Sequence, residues 1–408
     1  MRVLFITSNY LSGGAVSNCL NNIFGQLTEE FEIDVACMSK SETHTSDLPI
    51  KAYKINSVHT TSVHDRSSAY KKTELYALKV ISNLKILPYK LKYKIEHARS
   101  YKETEEIVKN NNYDVLISVC AMFSNHYIAY RLKKKYPNLK WIAYYFDPFS
   151  FNKVETTSFK SRLNFENKLL EYADGIVLTE QMKREFLSCV LKRHLKKSIV
   201  CEFPNIVNRN TNEKNSTIEF NKEKINCVFT GYIYSNVRDP RYFLEMLIRS
   251  NECIELYIVG SISKTTMEQT NMNYYKEKLK DRLHLVDSVS LDEAFKIMND
   301  ADILVNFGNS VKNQLPSKIL DYISIGKPII NVCKYKDCLT IPYMEKYPYS
   351  LNIFEEDKIN SSIIAEFNDF CHNARGKAVS YEWISQKYKE ATPSYVVEKL
   401  SGLINKEF

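Results

Sequence analysis

Short apolar runs along the chain alternate with longer stretches in which apolar residues recur every three or four positions. A short apolar run bounded by polar residues predicts a buried strand, and the longer periodicity predicts an amphipathic helix. In the first half, strands are predicted at residues 3–7, 33–37, 114–119, 141–146, 175–178 and 200–203, and helices at 15–27, 123–136, 159–172 and 181–192. Strands separated by helices in this way predict an α/β domain with a parallel sheet.

Residues 208–224 interrupt this alternation, because they are rich in Asn, Lys, Glu, Ser and Thr and contain few apolar residues. Such a composition is typical of a linker. The alternation then restarts, with strands predicted at 226–230, 255–259, 283–286 and 303–306 and helices at 241–250, 271–280 and 292–300. We therefore predict two Rossmann-like parallel-sheet domains facing a cleft, at residues 1–204 and 225–380, with a linker at 205–224.

The length of 408 residues supports two domains, since a single hydrophobic core seldom grows that large. The first residues, MRVLFITSNY, carry one charge and no cleavage-like site, and no stretch reaches the roughly twenty apolar residues of a membrane-spanning helix. The 10 cysteines are scattered without a Cys-x-x-Cys pair, which favours free thiols in a reducing compartment over disulfides or a zinc site. We expect a cytoplasmic protein without a structural metal.

Much of the formal net charge of +8 lies in residues 70–102, where lysine and arginine outnumber glutamate and are interleaved with leucine, isoleucine and tyrosine. Such a basic amphipathic surface can rest on an anionic membrane, at the inner face of the cell membrane, or meet an acidic, lipid-linked substrate. It can equally be the solvated face of a helix that covers the core. Nucleic acid is not expected as a partner, because no recognition motif accompanies the charge.

The strongest candidate for a binding site is the stretch at residues 314–332, QLPSKILDYISIGKPIINV, which predicts a loop, a helix and a strand. Pro316 suits the first helical turn, and Ser317 and Lys318 place a hydroxyl and an ammonium group beside the unpaired amides of the helix start. A phosphate fits there, and the carboxylate of Asp321 then suits a ribose. A Pro-Ser start and a Gly-x-Pro end also occur in helices for folding reasons alone.

Two further candidates lie where predicted strands end. Gly13 and Gly14 form the turn between the first strand and the first helix, where parallel sheets bind ligands, but the third glycine of the dinucleotide fingerprint is missing. Asp147 follows the strand at 141–146, where a carboxylate can act on a substrate or position it. Each has a steric alternative, which is a tight turn for the glycines and an Asp-Pro turn for Asp147.

Four blocks of the second half occur in the order and spacing of a known family. They are GYIYSNVRDPRYFLEML, LYIVGS, HLVDSVSLDEAFKIMNDADILVNFG and QLPSKILDYISIGKPIINV. Together they resemble the donor half of retaining glycosyltransferases of the GT-B fold (glycosyl transferases group 1), especially bacterial polysaccharide enzymes. The first half resembles that family only in its opening glycine loop, in ADGIVLTEQMKREF and in FPNIVN.

The resemblance implies the GT-B arrangement at the C-terminus. Residues 381–408 predict two helices, at 381–391 and 393–404, because proline at position 393 must break or kink the helix. In the GT-B fold, such a kinked pair crosses back to the first domain. We therefore treat residues 381–408 as C-terminal crossover helices, separate from the donor domain.

The resemblance also implies which residues bind the diphosphate and stabilise its charge. Gly231 would let the backbone approach the donor. Arg238 and Lys318, with Arg241 as a nearby substitute, would stabilise the negative charge that grows on the leaving diphosphate. No metal is then required, and a UDP-sugar is the first donor to expect.

The same resemblance implies the nucleoside and phosphate contacts. Val286, at the end of a predicted strand, would lie beside the base, and Asp321 would accept the ribose hydroxyls. The phosphate contacts would come from Leu315, Pro316 and Ser317, through the serine hydroxyl and the neighbouring backbone amides.

The sequence departs from the family at the donor sugar. The family has two acidic residues separated by seven others, and the first of them is replaced here by Asn313. An amide can bind a sugar hydroxyl but cannot stabilise positive charge on the sugar as a carboxylate does. The replacement favours a different donor sugar over an inactive protein. A family histidine near the anomeric carbon also has no match, and Asp147 is the candidate for orienting the acceptor hydroxyl.

These residues favour an enzyme that moves a sugar from a nucleotide diphosphate to a glycan or lipid-linked acceptor in cell-surface polysaccharide synthesis. Retention of configuration is implied by the resemblance alone. Two alternatives stay open, namely another nucleotide-sugar enzyme such as an epimerase, and a non-catalytic binding subunit of a polysaccharide assembly complex. A nicotinamide dehydrogenase is disfavoured, because neither first loop carries Gly-x-Gly-x-x-Gly.

Overall fold

The computed structural model describes residues 1–8, 10–11, 14–38, 48–55, 89–120, 122–151, 158–209, 216–233, 237–312 and 314–406. The chain forms two compact units. The first unit combines Met1–Asn205 with Glu390–Phe408, and the second is Ile206–Lys389.

Each unit is built on one parallel sheet. The strands of the first unit are β1 (Arg2–Thr7), β2 (Glu32–Cys37), β3 (Lys51–Lys54), β4 (Val115–Cys120), β5 (Lys140–Tyr145), β6 (Gly175–Leu178) and β7 (Ser198–Val200). Those of the second are β8 (Ile225–Thr230), β9 (Ile254–Val259), β10 (Leu283–Val286), β11 (Ile303–Phe307), β12 (Ile329–Cys333) and β13 (Ser350–Phe354). The two sheets have the orders β3-β2-β1-β4-β5-β6-β7 and β10-β9-β8-β11-β12-β13.

Helices connect most of the strands. In the described residues they are α1 (Ala15–Glu30), α2 (Tyr89–Glu96), α3 (Ala98–Asn110), α4 (Ser124–Lys135), α5 (Phe159–Leu170), α6 (Glu180–Leu187), α7 (Arg241–Arg249), α8 (Lys264–Gln269), α9 (Met272–Leu279), α10 (Leu291–Asp300), α11 (Lys318–Ile325), α12 (Ile341–Met344), α13 (Ser361–Ala374), α14 (Tyr381–Lys387) and α15 (Pro393–Asn405). Short 3-10 helices lie at Val190–Lys197, Lys280–Arg282 and Lys389–Ala391. Strands β4 and β8 are buried along their whole length, as expected for central strands of a parallel sheet.

The last helix belongs to the first unit, although it follows the second along the chain. Helix α15 begins at Pro393, where Oγ1 of Thr392 accepts a hydrogen bond from the Tyr395 amide at 3.4 Å. It packs against α1. At its other end, Nζ of Lys140 donates to the carbonyl of Ile404 at 3.0 Å. The predicted fold class, two parallel α/β units with a C-terminal return to the first, is confirmed.

Several predicted elements differ in detail; the helices predicted at 181–192 and 381–391 end at Leu187 and Lys387, and each is followed by a short 3-10 helix. The strand predicted at residues 200–203 is β7, which ends at Val200. Cys201 still donates to the carbonyl of Leu178 at 2.9 Å, but the next amide, of Glu202, donates to Glu390 at 3.0 Å, so the chain leaves the sheet. The single helix predicted at 271–280 is preceded by a second helix, α8, and Asn271 between them has a left-handed φ of 52°.

The basic region at residues 70–102 is described only from residue 89 onward. There, α3 buries Tyr101 and Val108, so its apolar face covers the core. Among the described helices, none is both long and apolar enough to span a membrane.

Candidate active site

The carboxyl ends of β8 and β11 are the candidate ligand site of the second unit. The strand order reverses between these two strands, because the chain first builds outward from β8 to β10 and later from β11 to β13. Parallel sheets bind ligands at such a switch point, outside the carboxyl ends of the strands. The loops after β8 and β11 carry Gly231, Arg238 and Lys318, so the fold brings these predicted residues to one edge of the sheet.

Two glycines shape the backbone at this edge. Gly231 follows β8 with a φ of 136°, and Gly260 follows β9 with a φ of 145°, values that side chains rarely allow. A Cβ atom at Gly260 would lie 2.1 Å from the carbonyl oxygen of Gly231. The Gly260 amide also donates to the carbonyl of Val286 at 2.9 Å. Gly260 therefore permits the close contact that sets the path of the loop after β8.

Lys318 begins α11 and reaches back to the end of β8. Its Nζ donates to Oγ1 of Thr230 at 3.0 Å. Its Cδ and Cε atoms lie 3.8 Å from the position of a Cβ at Gly231, so the lysine stem runs along the glycine. One turn further, the hydroxyl of Tyr322 accepts a hydrogen bond from the Thr230 amide at 2.9 Å. Two side chains of α11 thus fix the end of β8.

Arg238 is held by the loop that follows β11. Its Nε donates to Oδ1 of Asn309 at 2.9 Å. Beside this bond, the amide of Ser310 donates to the carbonyl of Val237 at 2.8 Å. A backbone and a side-chain hydrogen bond between described residues therefore join the loops after β8 and β11.

The electrostatics of this edge suit an anion. Burial lowers the pKa of Lys318, Asp321 opposes that shift, and the nearby Arg238 lowers the pKa further. Two cations held close in a partly buried site repel each other, and an anion between them removes that cost. The positive charges of Lys318 and Arg238 therefore favour the binding of a negatively charged group at this edge.

Asp321 lies on α11, one turn after Lys318. Burial raises the pKa of its carboxyl group to about 6, while Lys318 and Arg209 favour the charged form. The guanidinium of Arg209 lies 4.1 Å from the ring centre of Phe295. At neutral pH the carboxyl group is mostly ionised, and a carboxylate can accept hydrogen bonds from hydroxyl groups such as those of a ribose.

The predicted phosphate-binding segment leads into α11. The carbonyls of Pro316 and Ser317 accept hydrogen bonds from Ile319 and Leu320 at 3.0 Å, which forms a tight turn before the helix. The hydroxyl of Ser317 does not cap the helix. The amides of Ile319 and Leu320 are therefore already bonded, and Leu315, Pro316 and Ser317 lead directly into Lys318 at the start of the helix.

Two other cations near this edge are paired with carboxylates. Arg241 donates from Nε to Oδ2 of Asp239 at 2.8 Å, and this ion pair raises the pKa of its guanidinium. Nζ of Lys312 lies 3.0 Å from Oδ1 of Asp337. The sequence resemblance implies Arg241 as a nearby substitute for Arg238. To take that role, Arg241 would have to break its ion pair with Asp239.

Two predicted residues, Gly13 and Asn313, lie outside the described residues. Gly14, which precedes α1, has a φ of 98°. A Cβ at that position would meet no atom within 4 Å, so the backbone conformation, rather than a close contact in the described residues, requires glycine there.

Asp147 follows β5 in the first unit, and its amide donates to the carbonyl of Cys120 at 3.1 Å. The loop that carries it is anchored by Glu166. One oxygen of this carboxyl group accepts a hydrogen bond from the Tyr145 hydroxyl at 2.9 Å. The other accepts from the amide of Ser150 at 3.3 Å and from its hydroxyl. Glu166 thus holds the chain on both sides of Asp147.

Glu166 should make the stability of the first unit depend on pH. Burial raises its pKa to about 7, although its hydrogen bonds and Arg162 favour the charged form, and burial also raises the pKa of Glu185 to about 7. A folded pKa above the ordinary 4.5 means that stability is present below pH 4.5 and is lost as the pH rises through about 7. The difference between this folded pKa and the ordinary value corresponds to on the order of 3 kcal/mol of unfolding free energy.

Glu166→Gln, which mimics the protonated group, should therefore reduce the fall in unfolding free energy between pH 5 and pH 8. Urea denaturation at these two pH values measures the change in unfolding free energy. Glu29→Gln, on an exposed face of α1, is the control. An unchanged pH dependence in Glu166→Gln would contradict the burial argument.

The sequence did not indicate several residues of this edge. Thr230, Asn309, Arg209 and Gly260 were not predicted as site residues. Gly260 carried the only local signal, because a glycine directly after an apolar strand is typical of a ligand-binding loop in a parallel sheet. The others act through partners far away in the sequence, and no local pattern marks such contacts.

The cysteines make no disulfide. All ten are free thiols, and most are buried. Within the described ranges, no group of three or more His, Cys, Asp or Glu side chains is placed to hold a metal ion.

The sequence matches no family model and no curated protein sequence. Solved structures with a similar fold do exist. HepE of Anabaena, solved in complex with UDP, has a TM-score of 0.67 and 10% identity over 98% of this chain and 99% of its own. The lipopolysaccharide outer core galactosyltransferase WaaB has a TM-score of 0.61 and 11% identity over 99% of both chains.

The sucrose-phosphate synthase of Thermosynechococcus elongatus has a TM-score of 0.64 and 12% identity, over 99% of this chain and 98% of its own. Similarity at such low identity establishes the fold and not the activity. The chain therefore has the GT-B fold of these proteins along nearly its whole length.

Proposed function

We propose that the protein is a glycosyltransferase that takes a sugar from a nucleoside diphosphate donor. The observation that carries the proposal is the placement of Lys318 and Arg238 at one sheet edge, with burial and like charge lowering the pKa of the lysine. A diphosphate leaving group gains negative charge as its bond to the sugar breaks, and fixed cations stabilise that charge.

Each neighbouring group has a place in this proposal. Gly231 and Gly260 keep the backbone close to the sheet edge, which lets a pyrophosphate approach the loop after β8. The segment before α11 offers amides to the phosphates. Asp321, ionised at neutral pH, accepts hydrogen bonds from the ribose hydroxyls. Val286, at the end of β10, lies along the same edge, where the base would be bound.

UDP is the nucleotide that we propose. HepE of Anabaena, which has a similar fold, was solved with UDP and also with UDP-glucose. The sugar itself is left open, because Asn313 replaces the carboxylate that the resembled family places next to the donor sugar.

The acceptor side of the proposal rests on the sequence resemblance. We propose a glycan or lipid-linked acceptor in cell-surface polysaccharide synthesis, oriented by Asp147. We further propose that transfer retains the anomeric configuration and that residues 70–102 contact the inner face of the membrane. The anomeric configuration of the product, determined by NMR, decides the stereochemistry. Co-sedimentation with anionic vesicles decides the membrane contact.

Nucleotide binding is the first test. At about one hundred times its dissociation constant, UDP should add about 2.7 kcal/mol to the unfolding free energy, seen as a rise in the melting temperature. Asp321→Ala should abolish most of this rise, whereas Asp369→Ala on an exposed face of α13 should retain it.

The other outcomes distinguish the alternatives. A protein that no nucleotide or nucleotide sugar stabilises does not have the proposed donor site. Turnover of a UDP-sugar into another UDP-sugar without an acceptor would indicate an epimerase-type enzyme. Binding without transfer, even with the native acceptor, would indicate a binding subunit.

A further inference from the structure

Asn309 contacts both loops of the candidate site. Its Oδ1 accepts a hydrogen bond from Nε of Arg238 at 2.9 Å, and its Nδ2 donates to the carbonyl of Gln314 at 3.4 Å. The residue is buried, with 8% of its surface exposed. We infer that Asn309 is a positioning residue that aims the guanidinium of Arg238 at the diphosphate. This inference rests on the proposed function.

Asn309 is not needed to hold the two loops together. The amide of Ser310 already donates to the carbonyl of Val237 at 2.8 Å, next to Arg238 in sequence. That bond involves only backbone atoms, so it remains when the side chain of residue 309 is changed. What the Asn309 side chain adds between the two loops is its bond to the arginine head group, while its Nδ2 donates within its own loop to the carbonyl of Gln314.

The bond to Nε fixes the plane of the guanidinium. The five N–H donors of arginine lie in one rigid fork, so an acceptor on Nε determines where both Nη groups point. The acceptor is itself fixed, because the bond from Nδ2 to Gln314 determines which end of the Asn309 amide faces the arginine. Burial of Asn309 restricts its rotation further. The guanidinium is therefore oriented before any ligand binds.

As a neutral amide, Asn309 adds no negative charge beside Arg238. Elsewhere at this edge, Arg241 is held by the carboxylate of Asp239, which cancels its charge. An aspartate at position 309 would hold Nε equally well but would place a negative charge beside the diphosphate. Asparagine supplies the acceptor without that cost, which is the chemistry that an anion site requires.

The test measures the affinity for UDP, by calorimetry, of the wild type, Arg238→Ala, Asn309→Ala and the double variant. Loss of one charged hydrogen bond should weaken binding by roughly tenfold or more in Arg238→Ala. Asn309→Ala should weaken it by about threefold to tenfold, since the arginine stays but loses its orientation. Because Asn309 acts through Arg238, the double variant should bind no more weakly than Arg238→Ala alone.

Two further variants separate positioning from a structural role. In an Arg238→Lys background, where no Nε donor exists, Asn309→Ala should change the affinity by less than about twofold. Asn309→Asp, which keeps the acceptor, should weaken UDP binding as much as Asn309→Ala or more, because it adds a negative charge. Asn368→Ala removes an amide that accepts from the Asn251 backbone before β9, and it should bind UDP like the wild type.

Additive effects of Arg238→Ala and Asn309→Ala, or normal affinity in Asn309→Ala, would overturn the role of Asn309 and leave the donor site intact. Normal binding by Asn309→Asp would do the same. Lack of UDP binding by the wild type would overturn the proposed function and the positioning role together. The melting temperature of each variant without ligand shows whether it is folded, and the comparison in the Arg238→Lys background holds even if Asn309→Ala lowers stability.

Discussion

Replacing Lys318 with alanine should lower the rate of UDP release from a UDP-sugar by about 100- to 1,000-fold, the usual loss when one fixed donor to a developing anion is removed. Its ammonium group is fixed by Thr230 at 3.0 Å and needs no rearrangement as the leaving group forms. Arg238 alone cannot replace it, because that guanidinium approaches from the other loop. A coupled assay for UDP at saturating donor measures the effect, with or without an acceptor.

The loss should appear in activity and not in stability. Burial already lowers the pKa of Lys318 and Arg238 repels it, so removal of the ammonium relieves a cost in the protein without ligand. The variant loses one hydrogen bond and the attraction to Asp321, whose charged form Arg209 still favours. We expect little change in the melting temperature without nucleotide. Lys377→Ala, an exposed lysine of the same unit, is the matched control and should be fully active. Activity of Lys318→Ala within about threefold of the wild type would exclude a role for the lysine in charge stabilisation.

Local periodicity was enough to predict the fold class. Strands β6 and β10 lie where they were predicted, because each is a short apolar run bounded by polar residues. The proline at position 393 correctly marked the start of α15. The order of the strands was not predicted, because it depends on long-range packing. The return of α15 to the first unit also depends on such packing, and only the resemblance to a known family indicated it.

The candidate site was predictable where one short segment carries it. Pro316, Ser317, Lys318 and Asp321 are close in sequence, so a helix start with a cation and a carboxylate was visible before the fold was known. The contact between Arg238 and Asn309 joins residues 71 positions apart, and no local pattern contains it. The same applies to the influence of Arg209 on Asp321.

The sequence also does not show the contact between Gly260 and the Gly231 backbone, and this contact gives the largest expected effect on stability. Gly260→Ala should lower the unfolding free energy of the second unit by about 2 to 6 kcal/mol, the sum of roughly 1 to 3 kcal/mol of backbone strain and roughly 1 to 3 kcal/mol of overpacking. The new Cβ would lie 2.1 Å from the carbonyl oxygen of Gly231, and that atom is backbone. Neither loop can therefore avoid the clash by rotating a side chain.

Gly376→Ala separates the two contributions. Gly376 lies in the same unit with a φ of 74°, but a Cβ there would meet no atom within 4 Å. Strain alone should cost about 1 to 2 kcal/mol at that position. Urea denaturation of both variants measures the difference, and equal losses would show that the contact with Gly231 is not tight. Because Gly231 lies beside the Lys318 side chain, a clash that displaces Gly231 should also weaken UDP binding by the folded Gly260→Ala variant, whereas Gly376→Ala should bind UDP normally.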